Sequence, residues 1–249
     1  MIRIEKTEVV GWEAAIRGMR NPMNSWDKSD SHRCKVQDYE YFVDCPMVEN
    51  DHESAIDCND GMFGFCIGMN DMKLMKKLAK AGTDHRKFMR MIVVYCDITA
   101  PLYWWKEFAT YRAGVKPGDG DVDPMDIEMN SCSTMHKIHT KEFTIDDFSH
   151  EHLEMLSCDI MDQHVIKTLN IYRELFLQTN DKKYWWQMIQ LLPTSYNQKR
   201  TVMLNYEVLS NIYKSRKNHK LDEWRELCKW IESLPYSQLI TGKEGEADG

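Results

Sequence analysis

The order of apolar and polar side chains predicts strands at two places in the chain. Residues 2–10 alternate between apolar and polar positions, as in a strand with one buried face, and Gly11 ends the pattern. Residues 91–96 form a continuous apolar run rich in β-branched side chains, which is typical of a strand buried on both faces. The chain is therefore expected to contain a strand over residues 2–10 and a buried strand over residues 91–96.

A helical period of apolar side chains predicts most of the remaining elements. An aromatic helix starts at Pro101, directly after the buried strand. Asn70 and Asp71 are predicted to cap the helix over 72–81, and Gly82 is predicted to end it. The other helices predicted in this way cover residues 12–17, 148–178, 182–191 and 220–233.

The segment 148–178 is predicted as one long helix or a broken pair. Its apolar side chains recur at helical spacing and form one stripe with a slight drift. The stripe consists of Leu153, Leu156 and Ile160, continued by Val165, Leu169, Tyr172 and Phe176. The next helix, 182–191, carries Tyr184, Trp185 and Trp186, and these aromatic side chains are predicted to lie in the core. In the final helix the predicted buried residues are Leu221, Trp224, Cys228 and Ile231.

Polar segments interrupt these elements at three places. Residues 23–60 are predicted to be a long irregular excursion, residues 113–129 an acidic insertion, and residues 242–249 a disordered tail. The spaced aspartates of the insertion do not predict an EF-hand, because Pro124 and Asn130 stand where a calcium loop needs Gly and Glu. We therefore expect a single domain over 1–241.

Composition narrows the classes of function. The 249 residues carry a formal net charge of -7, which argues against binding a nucleic-acid polymer. The chain has no apolar run long enough to span a membrane and no signal-peptide core at its start, so we expect a cytoplasmic protein. Its eight cysteines form no C-x-x-C pair, which favours reduced thiols over a zinc or redox site.

Three ordered segments resemble the flavin-dependent thymidylate synthases. The family pattern Arg-His-Arg, a gap, then Ser-x-Asn-Glu-x-Ser-x-Arg-Tyr is similar to Thr110-Tyr111-Arg112 followed by Asn130-Ser131-Cys132-Ser133. Leu192-Pro193 leads, as in the family, to an asparagine that opens a helix, here Asn205. The family helix Asn-x-Arg-x-Leu-x-Asn-x-x-x-x-Arg and its His continuation are similar to Asn205–Arg216 and His219.

The resemblance implies an α+β fold in which helices pack on a small mixed or antiparallel sheet, in a homotetramer. It also implies site residues at matching positions and no metal. Cofactor-binding positions would be His85, Tyr111, Arg112, Asn130, Ser131, Asn205, Asn211 and His219; substrate-binding positions would be Glu107, Ser133 and Arg216, with Arg216 also catalytic. The residues alone leave alternatives open: His85 as a surface histidine in a turn, and Arg216 as a cation that suits the helix dipole.

The implied reaction transfers carbon from methylenetetrahydrofolate to C5 of dUMP, giving dTMP. FAD, reduced by NADPH, would supply the hydride, and the protein would orient the ligands. Cys132 then need not act as a nucleophile, a role for which it would need a base such as His136.

Departures from the family pattern leave two further alternatives open. At five positions this chain departs from the family pattern. Where the family has Arg, His, Glu, Arg and Arg, this chain has, in the same order, Thr110, Tyr111, Ser131, Met135 and Ile189. His136, Lys137, Lys199 or Arg200 could substitute for the missing cations. Otherwise the chain would be a flavoenzyme of the same fold acting on a different pyrimidine nucleotide, or a non-catalytic nucleotide-binding relative.

Overall fold

The computed structural model describes residues 2–33, 65–112 and 128–243. By their contacts, these residues fall into two compact units. The first unit lies within Met1–Thr7, Cys96–Met203 and His219–Leu227, and the second within Glu8–Tyr95, Leu204–Asn218 and Cys228–Gly249. Most of the predicted excursion and insertion, and the last six residues of the predicted tail, lie outside the described residues.

The main sheet contains both predicted strands and two more. Its strand order is β1 (Arg3–Val10), β4 (Val93–Pro101), β6 (Asn197–Asn205) and β5 (Glu128–Ser131). A second, two-stranded antiparallel sheet pairs β2 (His32–Arg33) with β3 (Phe65–Cys66). The buried strand begins at Val93 rather than Met91, because Lys87–Met91 form a 3-10 turn.

Strand β5 was not predicted from the sequence. It pairs antiparallel with β6, with Asn130 opposite Thr201 and Ser131 opposite Arg200. Its sequence, Glu-Met-Asn-Ser, has no run of β-branched or alternating apolar residues, so the pairing partner decides its conformation rather than intrinsic propensity.

The described chain is rich in helices, which together with the main sheet confirm the predicted α+β class. They are α1 (Trp12–Arg20), α2 (Met69–Lys80), α3 (Leu102–Phe108), α4 (Met155–Ile160), α5 (Lys167–Thr179), α6 (Lys182–Leu191), α7 (Tyr206–Arg216), α8 (Asp222–Glu232) and α9 (Gln238–Thr241). The predicted bounds of α6 agree with the structure, because Asn180 is left-handed and the Asp181 side chain caps the next helix through the Lys183 N–H.

The predicted helix over 148–178 starts later and contains a π-helical turn. Residues Met161–Ile166 form this turn between α4 and α5. The extra residue in such a turn rotates the two halves of the apolar stripe away from each other. Leu169 is fully buried, whereas Leu156 is 72% exposed, so the predicted apolar stripe is not buried along its whole length. Leu153 and Ile160 are likewise exposed.

The predicted cap of α2 was also wrong. The helix begins at Met69, so Asn70 and Asp71 lie in its first turn rather than before it. The carboxylate of Asp30 accepts hydrogen bonds from the N–H groups of Asn70 (2.8 Å) and Asp71 (3.1 Å) and takes the capping role. Gly82, with φ +101°, follows the end of the helix as predicted.

Aromatic side chains form the core of the first unit. Trp104, Trp105, Phe108 and Trp224 are buried and in ring contact. A neighbouring cluster contains Phe143, Phe148, Leu169, Met188 and Tyr196. The aromatic residues of α6 only partly enter the core, since Tyr184 and Trp185 are half-buried and Trp186 is 45% exposed.

The second unit packs around Trp12. Its ring lies 5.2 Å from the rings of both Tyr206 and Tyr236, in edge-on geometry. Gly11 has φ +94°, and a Cβ there would lie 2.0 Å from the Met91 carbonyl oxygen, so glycine is required where β1 turns into α1.

In α8, Trp224, Cys228 and Ile231 are buried as predicted, but Leu221 precedes the helix and is exposed.

Within the described ranges, no helix is long and apolar enough to cross a membrane. The same residues contain no group of three or more His, Cys, Asp or Glu side chains placed to hold a metal ion. The five described cysteines are free thiols, and burial raises the pKa of Cys96 to about 12.

Candidate functional site

Three of the predicted site residues meet around Trp224 in the first unit. The indole N–H of Trp224 donates to the Glu107 carboxylate at 2.9 Å. The Tyr111 and His219 rings lie 5.7 Å and 6.1 Å from the Trp224 ring. His219 Nε2 is 4.0 Å from the other oxygen of Glu107. We call Glu107, Tyr111, His219 and Trp224 the Trp224 cluster.

The aromatic sequence of α3 explains why these residues meet. Trp104 and Phe108 face the core and pack against Trp224, at ring distances of 5.0 Å and 6.2 Å. Glu107, one position before Phe108, is therefore held beside the same indole. Tyr103 on this helix donates to Glu223, and burial together with that carboxylate raises the pKa of Tyr103 above its ordinary value. The cluster presents a fixed carboxylate, a phenol and an imidazole.

The predicted residues on and after β5 do not join that cluster through any hydrogen bond shown by the described side chains. Asn130 and Ser131 are exposed on the strand. Ser133 is exposed as well, and its hydroxyl accepts from the N–H groups of Met135 (3.3 Å) and His136 (2.9 Å). Ser133 therefore stabilises the turn that follows it. Arg112 ends the 3-10 turn Ala109–Arg112.

A second set of polar residues lies in the second unit. The Arg86 guanidinium donates to Glu207 at 3.0 Å and to the Asn211 side-chain oxygen at 3.1 Å. Arg90 donates to the other oxygen of Glu207. We call Arg86, Arg90, Glu207 and Asn211 the Glu207 cluster. His85 precedes Arg86 in the same turn and is exposed.

The Glu207 cluster contains two arginines and one carboxylate. Its two arginines share one carboxylate, and that carboxylate is 5% exposed. Burial, followed by repulsion from Arg86, lowers the pKa of nearby Lys214. An anion beside these cations would therefore be stabilised.

Arg86, Arg90 and Glu207 were not predicted as site residues from the sequence. One signal was present: Glu207 stands where the family pattern Asn-x-Arg has its arginine. A carboxylate at that position, on the buried side of a helix, requires cations from elsewhere. Those cations come from the segment 86–90, more than a hundred residues earlier in the chain, so no local pattern indicates them.

Asn205 and Arg216 stand at the two ends of α7. The Asn205 side chain accepts from the Val208 N–H at 2.9 Å and is the N-cap of the helix. Asn205 is 5% exposed, so its role in the fold is structural, and a contact with a cofactor stays a prediction. Arg216 is the last helical residue and is half-buried.

Four residues could substitute for the missing family cations, and they differ in whether their side chains already contact other residues. Lys199 lies 3.0 Å from the Asp97 carboxylate. Arg200 lies over the Trp105 ring at 4.3 Å and donates to Gln198. His136 and Lys137 are exposed. The first two side chains therefore already have structural partners.

Comparisons with known proteins were made for sequence and for structure. No family model matches the chain, and no curated protein matches it. Two solved structures of the flavin-dependent thymidylate synthase ThyX from Helicobacter pylori, complexed with FAD and dUMP, are similar to it. Each has a TM-score of 0.59 and 14% identity; the alignments cover 96% and 97% of this chain and 97% of the other chain in both cases.

A third similar structure is the UMP/dUMP methylase PolB from Streptomyces cacaoi, bound with 5-Br dUMP. Its TM-score is 0.51 and its identity 10%, over 97% of this chain and 95% of the other. At such identities the likeness is one of fold, and it extends over nearly the whole chain. The protein therefore has the fold of the flavin-dependent thymidylate synthases, as the resemblance in its sequence predicted.

Proposed function

We propose that this protein methylates C5 of dUMP, with methylenetetrahydrofolate as carbon donor and FAD, reduced by NADPH, as hydride source, giving dTMP. The observation that carries the proposal is the fold likeness to structures complexed with FAD and dUMP, which spans at least 96% of each chain. Fold alone does not define a reaction, so the proposed reaction also depends on the chemistry of the described side chains.

The Glu207 cluster fits the anionic part of a flavin cofactor. Arg86 and Asn211 are joined by a hydrogen bond at 3.1 Å, and Arg90 adds a second guanidinium. Guanidinium groups match phosphate oxygens with paired N–H donors. We propose that Arg86, Arg90 and Asn211, with His85, hold the diphosphate of FAD. When bound, FAD supplies the redox chemistry that the side chains lack.

The Trp224 cluster fits the orientation of a pyrimidine nucleotide. Glu107 is fixed by the Trp224 indole, so its carboxylate needs little reorganisation to accept from an N–H donor. Tyr111 and His219 add a hydroxyl and an imidazole beside the same ring. We assign Glu107 to substrate binding, and Tyr111 and His219 to cofactor binding. Arg112, Asn130, Ser131 and Ser133 remain proposed contributors, and Arg216 the proposed partner of the nucleotide.

A second candidate is the same chemistry on a different pyrimidine nucleotide, such as UMP. Lys199 and Arg200 already contact Asp97 and Trp105, so the phosphate contacts of the family are not simply restored by them. A methylase of UMP or dUMP shares the fold. Calorimetric titration of the FAD-loaded protein with dUMP and with UMP separates the two candidates. Tighter dUMP binding supports the first, and tighter UMP binding the second.

Flavin binding tests the proposal at Asn211. Replacing Asn211 by Leu removes one of the two acceptors that the described residues give Arg86, and a buried N–H group left without its acceptor costs about 1–3 kcal/mol. The FAD affinity should fall roughly tenfold or more. Asn218→Leu, an exposed asparagine beyond α7, is the matched control and should bind FAD as the unaltered protein does. Equal FAD affinity in both variants would remove Asn211 from the cofactor site.

A further inference from the structure

A cavity of about 310 Å³ opens between α2, α7 and α9 in the second unit. Four lysines line it: Lys76 and Lys80 from α2, Lys214 from α7, and Lys243 after α9. None of the described residues that line it is Asp or Glu. Arg86, Arg90, Glu207 and Asn211 do not line this cavity, although Lys214 of its wall lies near Arg86.

The walls of this lysine cavity are held by specific contacts. The buried Ser210 hydroxyl on α7 donates to the Ile240 carbonyl of α9 at 3.0 Å. Gly242, with φ +69°, ends α9 through a hydrogen bond of its N–H to the Gln238 carbonyl at 3.0 Å. Lys243 is then fixed by Glu232, whose carboxylate lies 2.7 Å from its ammonium group. The cavity is thus formed by packed elements.

The charge on these walls is unusual for this chain. The whole sequence carries a net charge of -7, yet four ammonium groups line one small cavity. Lys243 is paired with the Glu232 carboxylate. Burial, followed by repulsion from Arg86, lowers the pKa of Lys214, and the Glu207 carboxylate acts in the opposite direction. Lys80 is the last residue of α2, where a positive charge interacts favourably with the helix dipole. The dipole does not explain the presence of Lys76 or Lys214 in the same wall.

We propose that the lysine cavity binds a small phosphorylated metabolite with at least two negative charges. Ammonium groups are compact point charges that suit the several oxygens of a phosphate, and lysine is a common phosphate ligand. The volume of about 310 Å³ is at the lower end of the range for small-molecule sites. Ala79 and Leu239 add apolar surface to the wall, which fits an organic group beside the phosphates.

Calorimetric titration of the full chain with inorganic pyrophosphate tests this site. The unaltered protein should show saturable binding. The double variant Lys76→Gln/Lys80→Gln should bind pyrophosphate at least tenfold more weakly. Its FAD affinity should not change, because neither lysine belongs to the Glu207 cluster. The pyrophosphate affinity tests the cavity proposal and the FAD affinity tests the proposed function, so a failure of one can be distinguished from a failure of the other.

The matched control is Lys73→Gln/Lys77→Gln, which removes the same two charges from exposed positions of the same helix. It should bind pyrophosphate within about twofold of the unaltered protein. Equal weakening in both double variants would reduce the effect to overall charge and overturn the proposal. So would citrate binding as tightly as pyrophosphate, because the site would then not recognise phosphate. Absence of saturable binding in the unaltered protein would overturn it as well.

Discussion

At the scale of single residues, Glu207 determines the charge arrangement of the second unit. Its carboxylate is nearly inaccessible and contacts the guanidinium groups of both Arg86 and Arg90. A buried carboxylate left without such partners would be costly, so Glu207 and the two arginines depend on each other. A reversal of charge at one position of α7 thus fixes two cations in the turn before β4. This arrangement supports the proposal that the cluster receives an anion.

Arg216 gives a residue-scale prediction about the nucleotide. Arg216→Lys keeps the charge at the end of α7 but loses the planar fork of donors. If Arg216 contacts the nucleotide, its loss in a closed site should cost about 2–5 kcal/mol, a weakening of at least tenfold. Calorimetry with dUMP checks this, while FAD stays bound. If Arg216 serves only the helix dipole, nucleotide affinity should change by no more than about 0.5 kcal/mol.

Asp71 gives a prediction about stability. It is fully buried and lies 2.6 Å from the buried Arg20, with the hydroxyls of Ser29 and Ser31 on its other oxygen. Asp71→Asn would leave the Arg20 charge without its partner, and breaking such a buried pair costs about 3–5 kcal/mol. Urea unfolding should show this loss. Asp27→Asn, at an exposed position nearby, should change the free energy of unfolding by less than about 0.5 kcal/mol.

The same carboxylate predicts a dependence of stability on pH. Burial raises the pKa of Asp71, but hydrogen bonds from Ser31 and Ser29 and the charge of Arg20 lower it more, so the pKa is below its ordinary value. The stabilisation is therefore complete above the unfolded pKa, about 3.9, and is lost as the pH falls through the folded value. Between roughly pH 5 and 3, the unaltered protein should lose stability faster than Asp71→Asn. Parallel curves would contradict this assignment.

At the scale of elements, α2 is capped from a distant loop. The Asp30 carboxylate accepts from two N–H groups at the start of the helix, at 2.8 and 3.1 Å. Asp30→Ala should therefore lower the free energy of unfolding by about 0.5–2 kcal/mol. Asp27→Ala removes an exposed carboxylate from the same segment and serves as the control in urea titrations. Equal effects of the two substitutions would show that the cap contributes nothing.

Local pattern was sufficient for elements whose ends are set by their own residues. Helix α6 was predicted with its observed bounds, because Asn180 and Asp181 provide both the break and the cap. The start of α2 was not predictable in this way, since its cap lies 40 residues earlier in the chain. Strand β5 depends on its pairing with β6, and the π-helical turn rotates α4 relative to the stripe of α5. Such features follow from tertiary contacts.

The candidate site shows the same difference between features that local sequence indicates and features that tertiary contacts decide. Glu107, Tyr111 and His219 were found through their positions in a family pattern, and the structure places them around Trp224. The indole that joins them was predicted only as a core residue. Arg86 and Arg90 carry no pattern of their own and are recognised only through Glu207. The sequence therefore indicated some of the residues that the fold brings together, and their roles in binding stay predictions.

At the scale of the whole molecule, fold likeness and side-chain chemistry support one account. The likeness covers almost the full length of the chain, including both compact units. Several family cations are replaced, yet the second unit carries other cations in the Glu207 cluster. The chain thus has the fold of the family, and the proposed flavin-dependent reaction would use different contacts to the nucleotide. The lysine cavity is proposed as a separate phosphate site.

The most direct test of this account is the product formed from a pyrimidine nucleotide. The purified protein is incubated with FAD, NADPH, methylenetetrahydrofolate and dUMP, and the nucleotides are analysed by mass spectrometry; parallel reactions omit FAD or replace dUMP by UMP. The account predicts a nucleotide with the mass of one added methyl group, formed only when FAD is present. A protein that binds FAD but leaves both dUMP and UMP unchanged would contradict it.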